Sequence, residues 1–137
     1  MVWNAADGKH VATRRTKGWS ISCLGGSPDG KTLAIGDSSA AAWLWDWQAD
    51  KPFRLSDFGD EIESVDRVLF SPDGKTLAIE LWGSIELWDL PSRKLLFNIR
   101  NMHTNTAFSP DSKTIAVSAG DNIIKLLQVK ADKPSEE

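Results

Sequence analysis

Apolar and polar side chains alternate along this chain in short runs, each cut off by a cluster of turn-forming residues. Lys31-Thr32-Leu33-Ala34-Ile35 is one such run, and it follows the turn Ser27-Pro28-Asp29-Gly30. Proline pre-sets φ for the second turn position, aspartate bonds locally to the backbone, and glycine relieves the strain of closing the turn. A period of two with β-branched residues predicts a strand. The same turn and run recur as Ser71-Pro72-Asp73-Gly74 with residues 75–79, and as Ser109-Pro110-Asp111-Ser112 with residues 113–117. No helical period is sustained anywhere, so the pattern predicts strands alone.

The three copies start 44 and then 38 residues apart, and a second landmark keeps step with them. Trp45-Asp46 and Trp88-Asp89 are its clear forms, with Trp3-Asn4 and Leu127-Gln128 as degenerate ones. Strands are predicted before the turns at 67–70 and 105–108, and more weakly at 19–24 ahead of Gly25-Gly26. Others run into the second landmark over 40–47, 84–90 and 122–129. Short strands follow at 52–55 and 95–99, after polar turns at 48–51 and 91–94, with an N-terminal counterpart at 9–12 after the turn at 5–8. The unit is thus four antiparallel strands in roughly 40–45 residues, the blade of a β-propeller. The chain divides into the end of a blade (2–14), two full blades (19–56 and 64–99), an incomplete last blade (104–129) and a charged tail (130–137). The expected fold is all-β, an open arc of about three four-stranded blades.

Within 40–47, Ala42-Trp43-Leu44-Trp45 is apolar without alternation, as in a strand covered on both faces. Alternation puts Trp43, Trp45 and Trp47 on one side of it, and Trp43, Trp45 and Trp88 are expected to pack between blades. Burying rings of that size contributes on the order of 2–3 kcal/mol each.

Phe-Ser-Pro-Asp-Gly-Lys-Thr-Leu-Ala over 70–78, followed by Leu87-Trp88-Asp89, resembles the WD-repeat (WD40) family of β-propellers. The resemblance runs over nearly all of residues 2–129. Two departures stand out. The Gly-His pair that opens a family repeat is replaced by Gly59-Asp60, or by a shortened loop at 100–104 around His103. The family's tight-turn aspartate has counterparts only at Asp37 and Asp121, while the second blade has Gly83-Ser84 there. The family's His–Asp–Ser/Thr–Trp hydrogen-bond network is therefore expected to be incomplete, and apolar packing to hold the blades together. In WD-repeat proteins the chain's beginning often supplies the last blade's outer strand. Here the last blade lacks that strand and the first is only an end, so the chain is expected to be the C-terminal part of a larger propeller. Blade faces are then left open, which invites self-association.

Composition narrows the chemistry. The chain has 137 residues with 26% charged and a net charge of −3, so no global field favours nucleic acid or an anionic membrane. No apolar run approaches the roughly 20 residues of a bilayer span and no secretory signal opens the chain, so a cytoplasmic protein is expected. Cys23 is the sole cysteine, which excludes an internal disulfide or a cysteine metal cluster. Residues 25–32 match the phosphate-loop spacing G-x-x-x-x-G-K-T. Pro28 removes a backbone donor, Asp29 sets a negative charge in the cradle, and a strand replaces the helix that a phosphate needs, so no nucleotide site is expected. His10 and His103 are far apart and without a partnered spacing, and no catalytic triad or zinc pattern exists. Asp57, Asp60, Glu61, Glu63 and Asp66 lack calcium-loop spacing and read as a solvated loop. Lys9, His10, Arg14, Arg15 and Lys17 form a basic stretch without interleaved aromatics.

Trp82 has two readings: a partner anchor on the rim that carries the connections between blades, or a ring packed down on a neighbouring blade. The first makes Trp82, Phe58, Arg14, Arg15 and His103 the candidate partner-binding residues, since tryptophan and arginine dominate interface hot spots. The family resemblance implies a non-enzymatic protein–protein interaction scaffold with protein partners, no cofactor and no metal. Two alternatives stay open: the ancillary end of a larger signalling or enzymatic protein, and a periplasmic-type propeller scaffold.

Overall fold

The computed structural model describes residues 1–15, 20–57, 64–101, 105–120 and 122–129. Among these residues, thirteen strands form four antiparallel sheets. A two-stranded hairpin comes first, β1 (Val2–Trp3) with β2 (His10–Ala12). The first blade follows as β3 (Ile21–Gly26), β4 (Thr32–Asp37), β5 (Ala41–Asp46) and β6 (Lys51–Asp57), each paired with the next. The second repeats that order with β7 (Val65–Phe70), β8 (Thr76–Leu81), β9 (Ser84–Asp89) and β10 (Lys94–Arg100). The third has β11 (Thr106–Phe108), β12 (Thr114–Ala119) and β13 (Ile123–Gln128). Among the described residues no sheet closes on itself, and the architecture is that of an open partial β-propeller.

The Ser-Pro-Asp turns have one geometry in all three copies. The Ser27 hydroxyl donates to Asp29 Oδ1 at 2.6 Å and accepts the Thr32 N–H at 2.9 Å, while the Lys31 N–H donates to Asp29 Oδ1 at 3.0 Å. The sets around Ser71 and Ser109 repeat it. The fourth turn position is left-handed each time, at φ 71° for Gly30, 70° for Gly74 and 61° for Ser112. Asp29 and Asp111 are held below the usual carboxylate range by the serine hydroxyl and then the lysine N–H. The phosphate-loop spacing is thereby spent on the turn itself, and a strand follows directly.

Two apolar cores hold the blades face to face. Between the first and second lie Ala34, Ala42, Leu55, Val68, Phe70, Leu77, Ile79 and Leu81. Between the second and third lie Ala78, Ile85, Leu87, Ile115 and Val117. Strand β8 is buried at all six positions because both of its faces are covered. Trp88 packs on the first core, as expected of an inter-blade ring. Trp45 is buried and Trp43 half-buried, the latter beneath the Arg54 guanidinium 5.5 Å from its ring centre. Trp47 does not join their row: β5 ends at Asp46, and the Trp47 ring N–H donates to the Gly30 carbonyl at 2.8 Å.

The predicted strand at 19–24 is displaced in the structure. It begins at Ile21 and runs on through Gly25 and Gly26, past the predicted end at Leu24. A Cβ on Gly25 would stand 2.9 Å from the Val68 carbonyl oxygen, and one on Gly36 would stand 2.6 Å from Val65 Cβ. Both glycines let the first blade close on β7, Gly25 against a residue 43 positions on and Gly36 against one 29 positions on.

Candidate docking surface

Strand pairing fixes which loops share a rim. Val65 pairs with Leu81, Leu81 with Ser84, and Ser84 with Arg100, so the β8–β9 turn lies with both inter-blade connections of the second blade. The Ser-Pro-Asp turns and the turns at 47–50 and 90–93 lie at the opposite end. Six residues of strand separate the two rims by about 20 Å.

Trp82 stands at the tip of β8–β9 and is 88% exposed. Its turn has only Trp82 and Gly83 between the paired Leu81 and Ser84, with Gly83 at φ 73°. Leu81 and Ile85 on either side are buried in the inter-blade cores. An exposed aromatic is thus carried on a base fixed from both sides, and the alternative of a ring packed on a neighbouring blade is not what the structure shows. Phe58 and His103 lie outside the described residues. The geometry does not bring Arg14 to Trp82. Its guanidinium sits 2.7 Å from Asp50 Oδ1, in the β5–β6 turn on the far rim, and Asp50 also accepts the Trp45 ring N–H at 3.1 Å. Arg15 is exposed just beyond β2.

The far rim holds a cleft of about 340 Å³ between the first two blades, floored by Leu44, Phe70 and Leu90. Arg93 closes one side with its guanidinium 3.9 Å from the Phe53 ring centre. Between the second and third blades the Ser112 hydroxyl accepts the Asp73 N–H at 3.0 Å, where the first interface has only Gly74.

The polar networks differ from blade to blade, and the first keeps the aspartate, serine and tryptophan members of the set expected to be incomplete. In the first, buried Asp37 accepts from the Ser39 hydroxyl and N–H, the Ala41 N–H and the Trp43 ring N–H, between 2.7 and 3.0 Å. Burial alone would raise its pKa, but the bonds from Ser39 and Trp43 outweigh it and hold the group below the usual range. In the second, Glu86 accepts from the Trp88 ring N–H at 2.8 Å and the Asn98 amide at 3.0 Å. Burial dominates there and pushes the Glu86 carboxyl up. Buried Glu80 takes the Thr106 hydroxyl across to the third blade, with Arg67 at 3.7 Å. Asp121 lies outside the described residues. The Glu80–Thr106 link was not foreseen from sequence, because its partners are 26 residues apart and belong to no motif. Among the described residues, no group of three or more His, Cys, Asp or Glu side chains is placed to hold a metal ion.

Four-stranded antiparallel units, packed face to face and opened by the same turn, define an open β-propeller whose working surfaces are its rims and faces. The family model "WD domain, G-beta repeat" matches residues 99–127, from the last residues of β10 through most of β13. With the same unit repeated in the sheets before it, the match is consistent with a partial WD-repeat propeller and supports a propeller-type protein-interaction module.

Proposed function

We propose that the chain is a non-enzymatic scaffold that docks a protein partner on the rim carrying Trp82, in a ring with more blades than the chain itself holds. The observation that carries the reading is the 88% exposure of Trp82 above fully buried neighbours. A large ring held rigid before binding loses little entropy when a partner covers it, which is what makes tryptophan an interface anchor. The ring with further blades is supported by the exposed outer face of the third blade, where Ile124 and Leu126 are 74% and 71% exposed, since propellers close with roughly 4–8 blades. A cytoplasmic setting fits the single free thiol at Cys23.

Immobilised chain and its Trp82→Ala variant are compared for capture of proteins from a lysate, and the affinity of any captured partner is then measured. Truncating an anchor costs about 2 kcal/mol or more, so binding should weaken at least roughly thirtyfold. Equal capture by both would remove Trp82 from the interface and the reading with it.

A further inference from the structure

At the rim opposite Trp82, the interface between the first two blades is open where the next one is shut. On the second blade Ser71 and Leu87 are fully buried beside the third, and Thr76 is 6% exposed. Their counterparts on the first blade, Ser27, Leu44 and Thr32, are half-buried and line the cleft of about 340 Å³. The facing turn position differs too. Ser112 is buried with its hydroxyl accepting the Asp73 N–H, whereas Gly74 has no side chain to offer Asp29.

The charges of the cleft are unevenly matched. Asp29 Oδ1 accepts the Ser27 hydroxyl and the Lys31 N–H, and Asp46 Oδ1 accepts the N–H groups of Gln48 and Ala49 at 3.0 Å. Lys51 and Arg93 make no ion pair among the described residues, although Asp46 is the cross-strand neighbour of Lys51. Between the two cations lies the apolar floor of Leu44, Phe70 and Leu90.

We infer that this cleft is a second docking site, taking an extended segment of a partner protein with an apolar and an acidic side chain two positions apart. In an extended chain, residues i and i+2 point the same way about 7 Å apart. The apolar side chain then lies on the floor while the carboxylate meets Lys51 and Arg93. Charge complementarity selects this occupant, because the acids of the cleft are engaged by their own turns and the cations are not. A basic segment would set like charge against both. The volume is at the small end for ligand pockets, room for side chains and not for a folded domain. The site stands apart from the docking proposed at Trp82 and does not depend on it.

Fluorescence anisotropy of the full chain with a labelled, end-blocked peptide, Ser-Leu-Ser-Glu-Ser-Leu-Ser, tests it. Saturable binding below about 1 mM is expected, with none for peptides carrying lysine for the glutamate or serine for both leucines. Lys51→Gln and Arg93→Gln, both at exposed positions, should each weaken binding about tenfold, as one lost charge-assisted hydrogen bond does. Gly74→Ser copies the shut interface, and its position at φ 70° is left-handed as that of Ser112 is at 61°. It should narrow the cleft and weaken binding at least about tenfold with every charge in place. All three variants should keep the wild-type circular dichroism, and Trp82→Ala should bind as the wild type does. Absence of binding up to about 1 mM would overturn the inference, as would equal affinity for the lysine peptide or indifference to all three substitutions. Binding lost in Trp82→Ala would move the peptide to the other rim and overturn it as well. Failure at the cleft leaves the docking at Trp82 standing.

Discussion

The second and third blades share a turn, a strand order and a register, yet one is buried where the other is bare. Strand β9 has no exposed position, while β13, its counterpart in the third blade, is exposed at five of its six. The residues are no less apolar in the bare blade: Ile123, Ile124, Leu126 and Leu127 stand in β13. What differs is company. A blade's side chains are chosen for neighbours on both faces, so the stability of each sheet belongs largely to the interfaces and adds up along the arc.

The sharpest way to break this comparison is to make one truncation at matched positions. Leu87→Ala removes a fully buried side chain from the core between the second and third blades, and should cost about 3 kcal/mol. Leu126→Ala, at the equivalent place in β13, should cost less than about 0.5 kcal/mol when the chain is dilute enough to be monomeric. Urea unfolding of the two variants against wild type gives both values. Similar losses would mean that Leu126 is covered in the monomer and that the end blade is not open.

Polar insertions differ between blades as well, and pH separates them. Asp37 is depressed in the folded state, so the stability it adds is fully present above its unfolded value near 3.8 and disappears as pH falls through the lower folded value. Asp37→Asn should cost about 2 kcal/mol at neutral pH, through weakened bonds to Ser39, Ala41 and Trp43. That gap should close in acid below pH 3.8. Glu86 runs the other way: its raised carboxyl makes the fold lose stability as pH climbs from about 4.5 towards the folded value. A gap for Asp37→Asn that stayed constant into acid would show that the asparagine loss is steric.

How far the sequence could be read follows the range of the interactions. The Ser-Pro-Asp turns, the strand after each and the four-strand unit were legible because a serine, an aspartate and a lysine within five positions make the whole motif. The third copy kept the turn with Ser112, since the left-handed position tolerates serine. The strand predicted at 19–24 stopped short of Gly25, because nothing near it in sequence shows that glycine there makes room for Val68 of the next blade. Arg14 was grouped with Trp82 because nothing near it in sequence names Asp50, 36 residues on, as its partner. For Trp82 the sequence left two readings open, and only the absence of a described side chain over its turn decides between them.

The smallest effect concerns the hairpin tips that end the second strand of each blade. The second blade closes its tip with Gly83 at φ 73°, whereas the first takes a longer loop and puts Ala40 in the left-handed region at φ 56°. Alanine there pays about 1–2 kcal/mol in contact between Cβ and the following carbonyl oxygen. Ala40→Gly removes that strain but frees the unfolded chain by about 0.4–1 kcal/mol, and it gives up one methyl from a buried site. The balance is a net gain of about 0.5 kcal/mol, read as a higher urea midpoint with an unchanged slope. A loss would show that the Ala40 methyl is worth more to the packing of the first blade than the strain it imposes, and that the two tips differ by choice of filling and not by tolerance of the turn.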